Sequence, residues 1–289
     1  VEYDMADPMQ LTLALMSKQC DGLFLAGQLN GTSGYEEAAG QGLVAGMNAA
    51  RFARNEPPIT MPRTESFIGV MIDDLVTKGV EDPYRMLTAR AEHRLILRHD
   101  NADQRLTPLA KSVGLCQENR WRRFEAKREA IERGILHLQA QTVGPAESEN
   151  VIALGTTAIK NRVSLFDLLK RPEIGFSQLS SLADVGDFTD GLSERQVSEV
   201  REQIKLTATY EGYLGAQEKL ASEAKRLDGL EIPAGTSYEE MRGLSYECIE
   251  KLTRHQPQTV GQASRIPGVR PADIALLIGL LGARTKVAK

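Results

Sequence analysis

The chain has 289 residues, of which 42% are hydrophobic and only 5% aromatic, and its formal net charge is −4. This composition allows a sizeable aliphatic core, which favours helices, and the length suffices for one large domain or two ordinary ones. No apolar run is long enough to cross a membrane, no signal peptide is recognisable, and the three cysteines lack the spacing of a zinc site or a disulfide framework.

The net charge conceals two basic regions. Residues 85–133 carry a local net charge of +5, and residues 251–289 carry +6. Because salt screens charges beyond about 10 Å, a polyanion could bind these regions although the rest of the chain is acidic. The alternative is that both regions are solvated helix faces, and charge alone favours that interpretation.

The first 60 residues differ in pattern from the rest. A short apolar run at 22–27, bounded by glycines, predicts a buried strand. Ser33 and Glu36 have the spacing of a capping box, which predicts a helix from Gly34 to about Ala53. We expect the glycines inside this helix to allow the close approach of a sheet.

The turn between that strand and that helix is a candidate dinucleotide site. Glycines 27, 31 and 34 precede a helix N-terminus, where free amides can hold a phosphate. The spacing GxxxGxxG is not the GxGxxG fingerprint, so an ordinary strand–turn–helix corner remains the alternative.

An arginine series follows in the first basic region. Residues 68–76 are predicted as a helix, and Thr88 could cap a second, short helix. In that helix Arg90, Arg94 and Arg98 would share one face, and arginine side chains match phosphates in a bidentate manner. The alternative is ion pairing within the chain, to Asp73, Asp74 or Asp103. Residues 101–103 are predicted as a turn.

From about residue 117 the chain is predicted to be helical. Apolar residues at a spacing near 3.6 predict a helix that includes Trp121 and Leu138. A loop is expected at 142–161, a short helix at 164–169, a long helix at 193–227 that could project or pair with another helix, and a compact set of short helices at 236–289.

The C-terminal region has the outline of a helix–hairpin–helix. A short helix over 259–265, a tight turn over 266–269 and a helix beginning at Pro271 could present turn amides to a backbone phosphate, flanked by Arg265 and Arg270. A helical corner without a ligand is the alternative. No nucleophile–base pair or metal-ligand cluster stands out, so we expect no catalytic and no metal-binding residues in this chain.

Three segments resemble signatures of one family, glucose-inhibited division protein A, also called MnmG. They are FLAGQLNGTSGYEEAA at 24–39, PYRMLTARAEHRL at 83–95 followed by DNAD at 100–103, and VGQASRI at 260–266. The resemblance implies an enzyme that uses FAD, NADH and methylene-tetrahydrofolate. With a GTPase partner, such an enzyme installs a carboxymethylaminomethyl or aminomethyl group at C5 of the tRNA wobble uridine, as a cytoplasmic homodimer.

The resemblance also implies which part of such an enzyme is present. The family's FAD fingerprint, NADH-handling insertion and catalytic cysteines precede these segments and are not found here. We therefore expect a C-terminal portion with a processed or truncated N-terminal edge, and we expect FAD to belong to the parent enzyme and not to be retained by this chain. The segment at Gln28 would touch FAD, and arginines 85 and 94 would handle tRNA. The C-terminal helices would dock tRNA and the GTPase.

The expected fold is therefore mainly α: the tail of an α/β FAD-binding domain followed by an all-helical C-terminal domain. We expect a FAD-domain piece at 1–60, a helical linker with the arginine cluster at 61–145, and a helical domain at 146–289 with a subdomain at 233–289. The candidate cofactor residues are Gly27, Gln28, Asn30, Gly31 and Gly34. The candidate tRNA-binding residues are Arg85, Arg90, Arg94, Arg98, Arg265 and Arg270.

Three functional hypotheses follow from these patterns. The first is a module that binds tRNA and the GTPase partner for a flavin-dependent enzyme. The second is a chain that retains flavin and turns over. The third is a protein-interaction scaffold for the GTPase without direct RNA contact, suggested by the long predicted helix at 193–227.

Overall fold

The computed structural model describes residues 4–287, with side chains described up to residue 282. Helices dominate this part of the chain, which confirms the predicted mainly α fold. The helices are α1 Tyr35–Ala53, α2 Phe67–Lys78, α3 Ala102–Ser112, α4 Glu118–Ala140, α5 Ser148–Ala153, α6 Leu165–Leu169, α7 Phe176–Leu182, α8 Glu194–Asp228, α9 Tyr246–His255, α10 Val260–Arg265 and α11 Pro271–Val287. Strands β1, Thr142–Val143, and β2, Val163–Ser164, pair antiparallel.

The chain divides into two compact units. The first unit combines the residues up to 97 with those from 218 onward, and the second unit is the continuous stretch 98–217. The first unit is therefore assembled from two stretches that are far apart in sequence. The boundaries expected from the sequence, after residues 60 and 145, do not coincide with these limits.

In the first unit, α1 and α2 pack around a core that includes Val44, Ile72 and Leu75. A second cluster of this unit joins α9, α10 and α11, with Leu252 and Leu277 fully buried. The expected helix at 68–76 and the compact helices after residue 236 are therefore confirmed.

The predicted strand at 22–27 is wrong. The segment makes only an isolated bridge between Phe24 and Met16, and the Leu25 amide donates to the Leu15 carbonyl at 3.1 Å. Gly22 and Gly27 both have positive φ angles, +77° and +83°, so the extended stretch between them is too short for a ladder.

Helix α1 has nearly the predicted bounds but begins differently. Its N-cap is Gly34 and no side chain caps it, so the predicted capping box of Ser33 and Glu36 is wrong. No sheet approaches its glycines in the described structure. A β-carbon placed on Gly40 would meet Ile68 of α2 at 3.3 Å, and one placed on Gly42 or Gly46 would meet no atom within 4 Å.

The predicted helix carrying the arginine series is also wrong. Thr88–Arg90 is a single 3-10 turn, and residues 92–96 form turns, so Arg90, Arg94 and Arg98 do not share a helical face. Ala91 interrupts the helix because its backbone is extended and its side chain is buried beside Leu97. The turn expected at 101–103 is instead the start of α3.

The second unit has its own core between α4, α6 and α8. Leu138, Leu168 and Ile204 are each fully buried in it. Gly134 allows α4 to come close to α8, because a β-carbon there would lie 2.6 Å from Ile204 Cδ1. The loop expected at 142–161 is only partly a loop, since it contains β1 and α5.

Helix α8 confirms the predicted long helix. Its residues Val200, Ile204 and Ala208 are buried, but no residue between 209 and 220 is. Tyr213 and Leu220 are 66% and 60% exposed there. The predicted apolar stripe is therefore covered along only part of the helix.

Two leucines of α4 provide a matched test of the packing in the core of the second unit. Leu138 is fully buried, whereas Leu136 is 67% exposed. Replacing Leu138 with Ala should lower the free energy of unfolding by about 2–5 kcal/mol, because the substitution leaves a cavity. Replacing Leu136 with Ala should change it by less than about 0.5 kcal/mol. Urea denaturation of both variants tests this, and equal losses would contradict the packing described.

Candidate functional site

The loop expected to touch a cofactor is held by a buried hydrogen-bond network. Gln41 Oε1 accepts hydrogen bonds from the Gly27 amide (3.0 Å) and from Asn30 Nδ2 (2.9 Å). Gln41 Nε2 donates to Thr32 Oγ1 (2.9 Å), which in turn donates to the Gly27 carbonyl (2.9 Å). Asn30 and Gln41 are fully buried. Through Gln41, a residue of α1, the network therefore fixes the loop to this helix.

Most of the candidate cofactor residues have roles within the fold. A β-carbon on Gly31 would lie 2.5 Å from Val80 Cγ2, and one on Gly34 would overlap the carboxylate of Glu37. The N-terminus of α1 therefore already holds an anion, which does not favour a phosphate there. Gln28 is exposed. Among the five candidate cofactor residues, Gln28 is the exposed one, and the residues present do not form a phosphate cradle.

The same loop is hydrogen-bonded to residues 84–94, which are called the arginine segment below. The Tyr84 amide donates to the Gly31 carbonyl (2.8 Å), and the Met86 amide donates to Glu37 Oε1 (2.8 Å). Arg85 Nε lies 3.4 Å from the same oxygen. The Met86 hydrogen bond, helped by Arg85, holds the pKa of Glu37 below its ordinary value. The two predicted sites are thus neighbours in one unit.

Three of the predicted tRNA-binding arginines lie exposed on this segment. The Arg85 side chain is 60% exposed, and Arg90 and Arg94 are exposed as well. The Arg90 guanidinium lies over the Tyr84 ring, 4.4 Å from its centroid, and its Nε donates to the Arg85 carbonyl. In the described structure neither Arg90 nor Arg94 forms an ion pair. Their charges are available to an anion.

Arg98 belongs to the second unit and is engaged there. Its Nε donates to Asp100 Oδ1 at 3.0 Å, and its guanidinium lies 5.4 Å from the centroid of the Tyr210 ring. The Arg98 side chain is 14% exposed. Arg98 is therefore paired within the second unit.

A buried ion cluster lies behind the arginine segment. Arg63, whose side chain is 3% exposed, pairs with Asp73 (2.5 Å), Asp74 (3.2 Å) and Glu92 (2.6 Å). Lys78 also pairs with Asp74, and the Tyr84 hydroxyl donates to that carboxylate at 3.0 Å. Burial and the charge of Asp74 raise the pKa of Tyr84 well above its ordinary value.

The predicted tRNA contact Arg265 lies in the same cluster. Its side chain is 14% exposed and pairs with Asp73 (2.7 Å) and Asp228 (2.8 Å). The cluster therefore joins α2 to the end of α8 and to α10. Because both Arg265 partners are carboxylates of this chain, the geometry does not favour a contact between Arg265 and RNA.

Sequence reasoning did not single out Arg63. It treated Asp73 and Asp74 as alternative partners for the arginines after residue 84, but they pair with Arg63, Arg265 and Lys78. A signal was present, because two adjacent carboxylates stand in the apolar stretch FIGVMIDDLV of α2. Buried carboxylates require cations, so at least one buried partner could have been expected.

The C-terminal hairpin has the predicted outline. Helix α10 is capped by Thr259, Gly268 in the turn has a φ angle of +95°, and Pro271 opens α11. A β-carbon on Gly268 would lie 2.4 Å from Glu247 Oε1, so a carboxylate stands beside the turn. This position disfavours a phosphate at the turn.

Arg270 also has a partner within the chain. Its side chain is 65% exposed and its Nε donates to Asp273 Oδ2 at 3.0 Å. Asp273, which is 3% exposed, also accepts hydrogen bonds from the amides of Ser245 and Arg270. The Arg270 hydrogen bond and these amides lower the pKa of Asp273 to about 2.

Within the described residues, no group of three or more His, Cys, Asp or Glu side chains is placed to hold a metal ion. Over the same part of the chain, no helix combines the length and apolar character needed to span a bilayer.

Comparison with known sequences identifies the family. A model described as glucose inhibited division protein A matches residues 1–57. The tRNA modifying enzyme MnmG/GidA C-terminal helical domain matches 118–218, and the C-terminal helical bundle of the same enzymes matches 220–289. The chain belongs to the MnmG/GidA family. The three matches follow the chain in order, and two of them are C-terminal domains of the family.

Individual MnmG/GidA relatives agree with this assignment. The tRNA uridine 5-carboxymethylaminomethyl modification enzymes of Heliobacterium modesticaldum and Syntrophotalea carbinolica are 45% and 46% identical over 100% and 97% of this chain. The chain covers 45% and 44% of those proteins, so it spans less than half of their length.

A solved MnmG/GidA structure has the same fold. GidA of Aquifex aeolicus, in its form II crystal, matches with a TM-score of 0.80 at 37% identity. The match covers 96% of this chain and 43% of that one.

The low pKa of Asp273 makes a pH-dependent prediction. A carboxylate whose pKa is lowered by folding stabilises the fold above its ordinary value of 3.8, and this contribution is lost as the pH falls towards about 2. Asp273→Asn should therefore cost roughly 1–3 kcal/mol at pH 6. The difference from the unsubstituted chain should be smaller at pH 3.

Urea denaturation at both pH values measures this difference. The exposed Glu239 of the same helical region serves as a control, and Glu239→Gln should have little effect at either pH. A cost for Asp273→Asn that is the same at pH 6 and pH 3 would contradict the role given to the carboxylate.

Proposed function

We propose that this chain provides the tRNA-binding part of an enzyme that modifies C5 of the wobble uridine. The observation that carries the proposal is the exposed segment with Arg85, Arg90 and Arg94, hydrogen-bonded directly to the loop of Gln28. Arg90 and Arg94 form no ion pair in the described structure and Arg85 is exposed beside Glu37, and guanidinium groups can bind phosphates in a bidentate manner. The related MnmG enzymes modify tRNA uridine, which makes tRNA the polyanion expected here.

The position of the arginine segment supports a role close to the chemistry. The hydrogen bonds from Tyr84 to Gly31 and from Met86 to Glu37 set this segment against the candidate cofactor loop. RNA held by Arg85 and Arg94 would therefore lie near a flavin that contacts Gln28. Bound FAD would supply the redox chemistry, and this chain would contribute orientation of the tRNA.

The proposal includes the other components of the reaction. FAD, NADH and methylene-tetrahydrofolate would be bound mainly by the portion of the family's polypeptide that this chain does not cover. The complete enzyme would be a cytoplasmic homodimer that acts with a GTPase.

A second candidate function is a scaffold that binds the GTPase without contacting RNA. The observation favouring it is the uncovered stretch 209–220 of α8, where Tyr213 and Leu220 are 66% and 60% exposed. Exposed aromatic and aliphatic side chains of this kind are typical of protein interfaces. A pulldown of the GTPase that survives nuclease, together with no tRNA binding, would favour the scaffold over the tRNA-binding role.

Replacing two arginines of the exposed segment tests the proposal. Arg85→Gln/Arg94→Gln should raise the dissociation constant for an unmodified tRNA transcript about tenfold or more at low salt. Binding by the unsubstituted chain should itself weaken steeply with salt, because bound phosphates release counterions. A gel shift over a salt series measures both effects.

The matched control removes two exposed charges elsewhere in the same unit. Arg54 is exposed, and Arg226 is exposed and pairs with Glu223. Arg54→Gln/Arg226→Gln should leave tRNA affinity within about threefold. If the unsubstituted chain does not bind the transcript even at low salt, the proposed function is wrong.

A further inference from the structure

A groove in the second unit has no role in the function proposed above. It lies between α3, α4 and α8 and has a volume of about 440 Å³. Pockets for small ligands typically measure about 300–1,000 Å³, so the groove has room for a nucleotide and not only for a bare phosphate. Its lining residues are Asp103, Thr107, Gln117, Asn119, Arg120, Arg123, Phe124, Lys127, Gln196 and Glu199.

The carboxylates of the groove are already neutralised. Lys127 lies 2.8 Å from Asp103 and 3.5 Å from Glu199, and Arg195 pairs with Glu199 at 3.0 Å. Desolvation alone would raise the pKa of Glu199, but its hydrogen bonds with Arg195 and Lys127 lower it. Both carboxylates are therefore already paired with cations of this chain.

Two arginines of the groove have no carboxylate partner within the described residues. Arg120 and Arg123 are exposed, line the groove, and form no ion pair within the described residues. They are three residues apart on α4, a spacing that places their side chains side by side. The neighbouring α4 arginines differ, because Arg122 pairs with Glu118 and Arg128 with Glu132. The two arginines that line the groove, Arg120 and Arg123, are thus not neutralised by a carboxylate of the described residues.

The rest of the lining suits a nucleotide. Gln117, Asn119 and Gln196 contribute amide groups, which can both donate and accept hydrogen bonds. Ribose hydroxyls and base edges offer the complementary donors and acceptors. The groove therefore combines guanidinium groups for a phosphate with amides for the nucleoside attached to it.

We propose that this groove binds one phosphate of an RNA chain through Arg120 and Arg123, with the adjoining nucleoside against the amides of Gln117, Asn119 and Gln196. The proposal rests on the proposed function, which supplies RNA as the ligand. It adds a second RNA contact, in a different unit from Arg85 and Arg94. A free nucleotide carries the same phosphate chemistry, so the experiment separates the two sources.

The test compares two double variants of the full 289-residue chain. Arg120→Gln/Arg123→Gln removes the groove charges, and Arg122→Gln/Arg128→Gln removes the same number of charges from other positions of α4. The groove variant should raise the dissociation constant for an unmodified tRNA transcript about tenfold. It should also reduce the slope of log K against log salt by about 0.7–0.9, as expected for one lost phosphate contact. The control variant should change the affinity less than threefold.

Two further measurements accompany the comparison. Circular dichroism and thermal unfolding should show that both variants fold like the unsubstituted chain. Trp121, the only tryptophan, packs against Phe124 of the groove with ring centroids 5.3 Å apart. The transcript should therefore quench its fluorescence in the unsubstituted chain and in the control, but much less in the groove variant at the same concentration.

The outcomes separate this proposal from the function on which it rests. If the unsubstituted chain binds tRNA and the groove variant binds equally well, or no worse than the control, the groove proposal is overturned and the proposed function stands. If uridine monophosphate alone quenches Trp121 while tRNA affinity does not depend on Arg120 and Arg123, the groove binds free nucleotides, and the RNA proposal is again overturned. No binding of tRNA by the unsubstituted chain would refute both.

Discussion

The first unit depends on one buried cluster of charges. Arg63, 3% exposed, meets three carboxylates, and Arg265 shares one of them, Asp73. Burying these charges is costly in free energy, and their mutual pairing offsets the cost. Since Asp73 lies on α2 and Arg265 on α10, the cluster joins stretches of the chain about 190 residues apart in sequence.

Ion pairing within the chain distinguishes two groups of arginines. Arg63 and Arg265 pair with carboxylates of the cluster, and Arg98 pairs with Asp100. Arg90 and Arg94 form no ion pair in the described structure, and Glu92, which lies between them in sequence, pairs with Arg63. The pairing of this carboxylate with Arg63 leaves the positive charges of Arg90 and Arg94 on the exposed surface. An RNA-binding role is favoured by this separation, and not by the net charge of the chain.

The sequence predicts the helices well and their charged contacts poorly. Helices α1, α2, α4 and α8 are predictable because apolar periodicity and clear stop signals such as Pro57 reflect local physics. The strand at 22–27 and the helix carrying Arg90 fail because positive-φ glycines and the buried Ala91 override local patterns. The spacing of the arginines singles out Arg94, whereas Gln28 is a candidate only through the family resemblance. The ion pairs of Arg63 and Arg265 with Asp73 were missed because they depend on the tertiary structure.

Hydrogen–deuterium exchange of Asp73→Asn tests the role of the cluster most directly. Asparagine keeps the shape of the side chain but removes the charge that Arg63 and Arg265 share. If the cluster holds the two stretches together, amide exchange should accelerate in both α2 and α10, while α4 and α6 of the second unit exchange as before. Acceleration confined to α2, with α10 unchanged, would contradict the account.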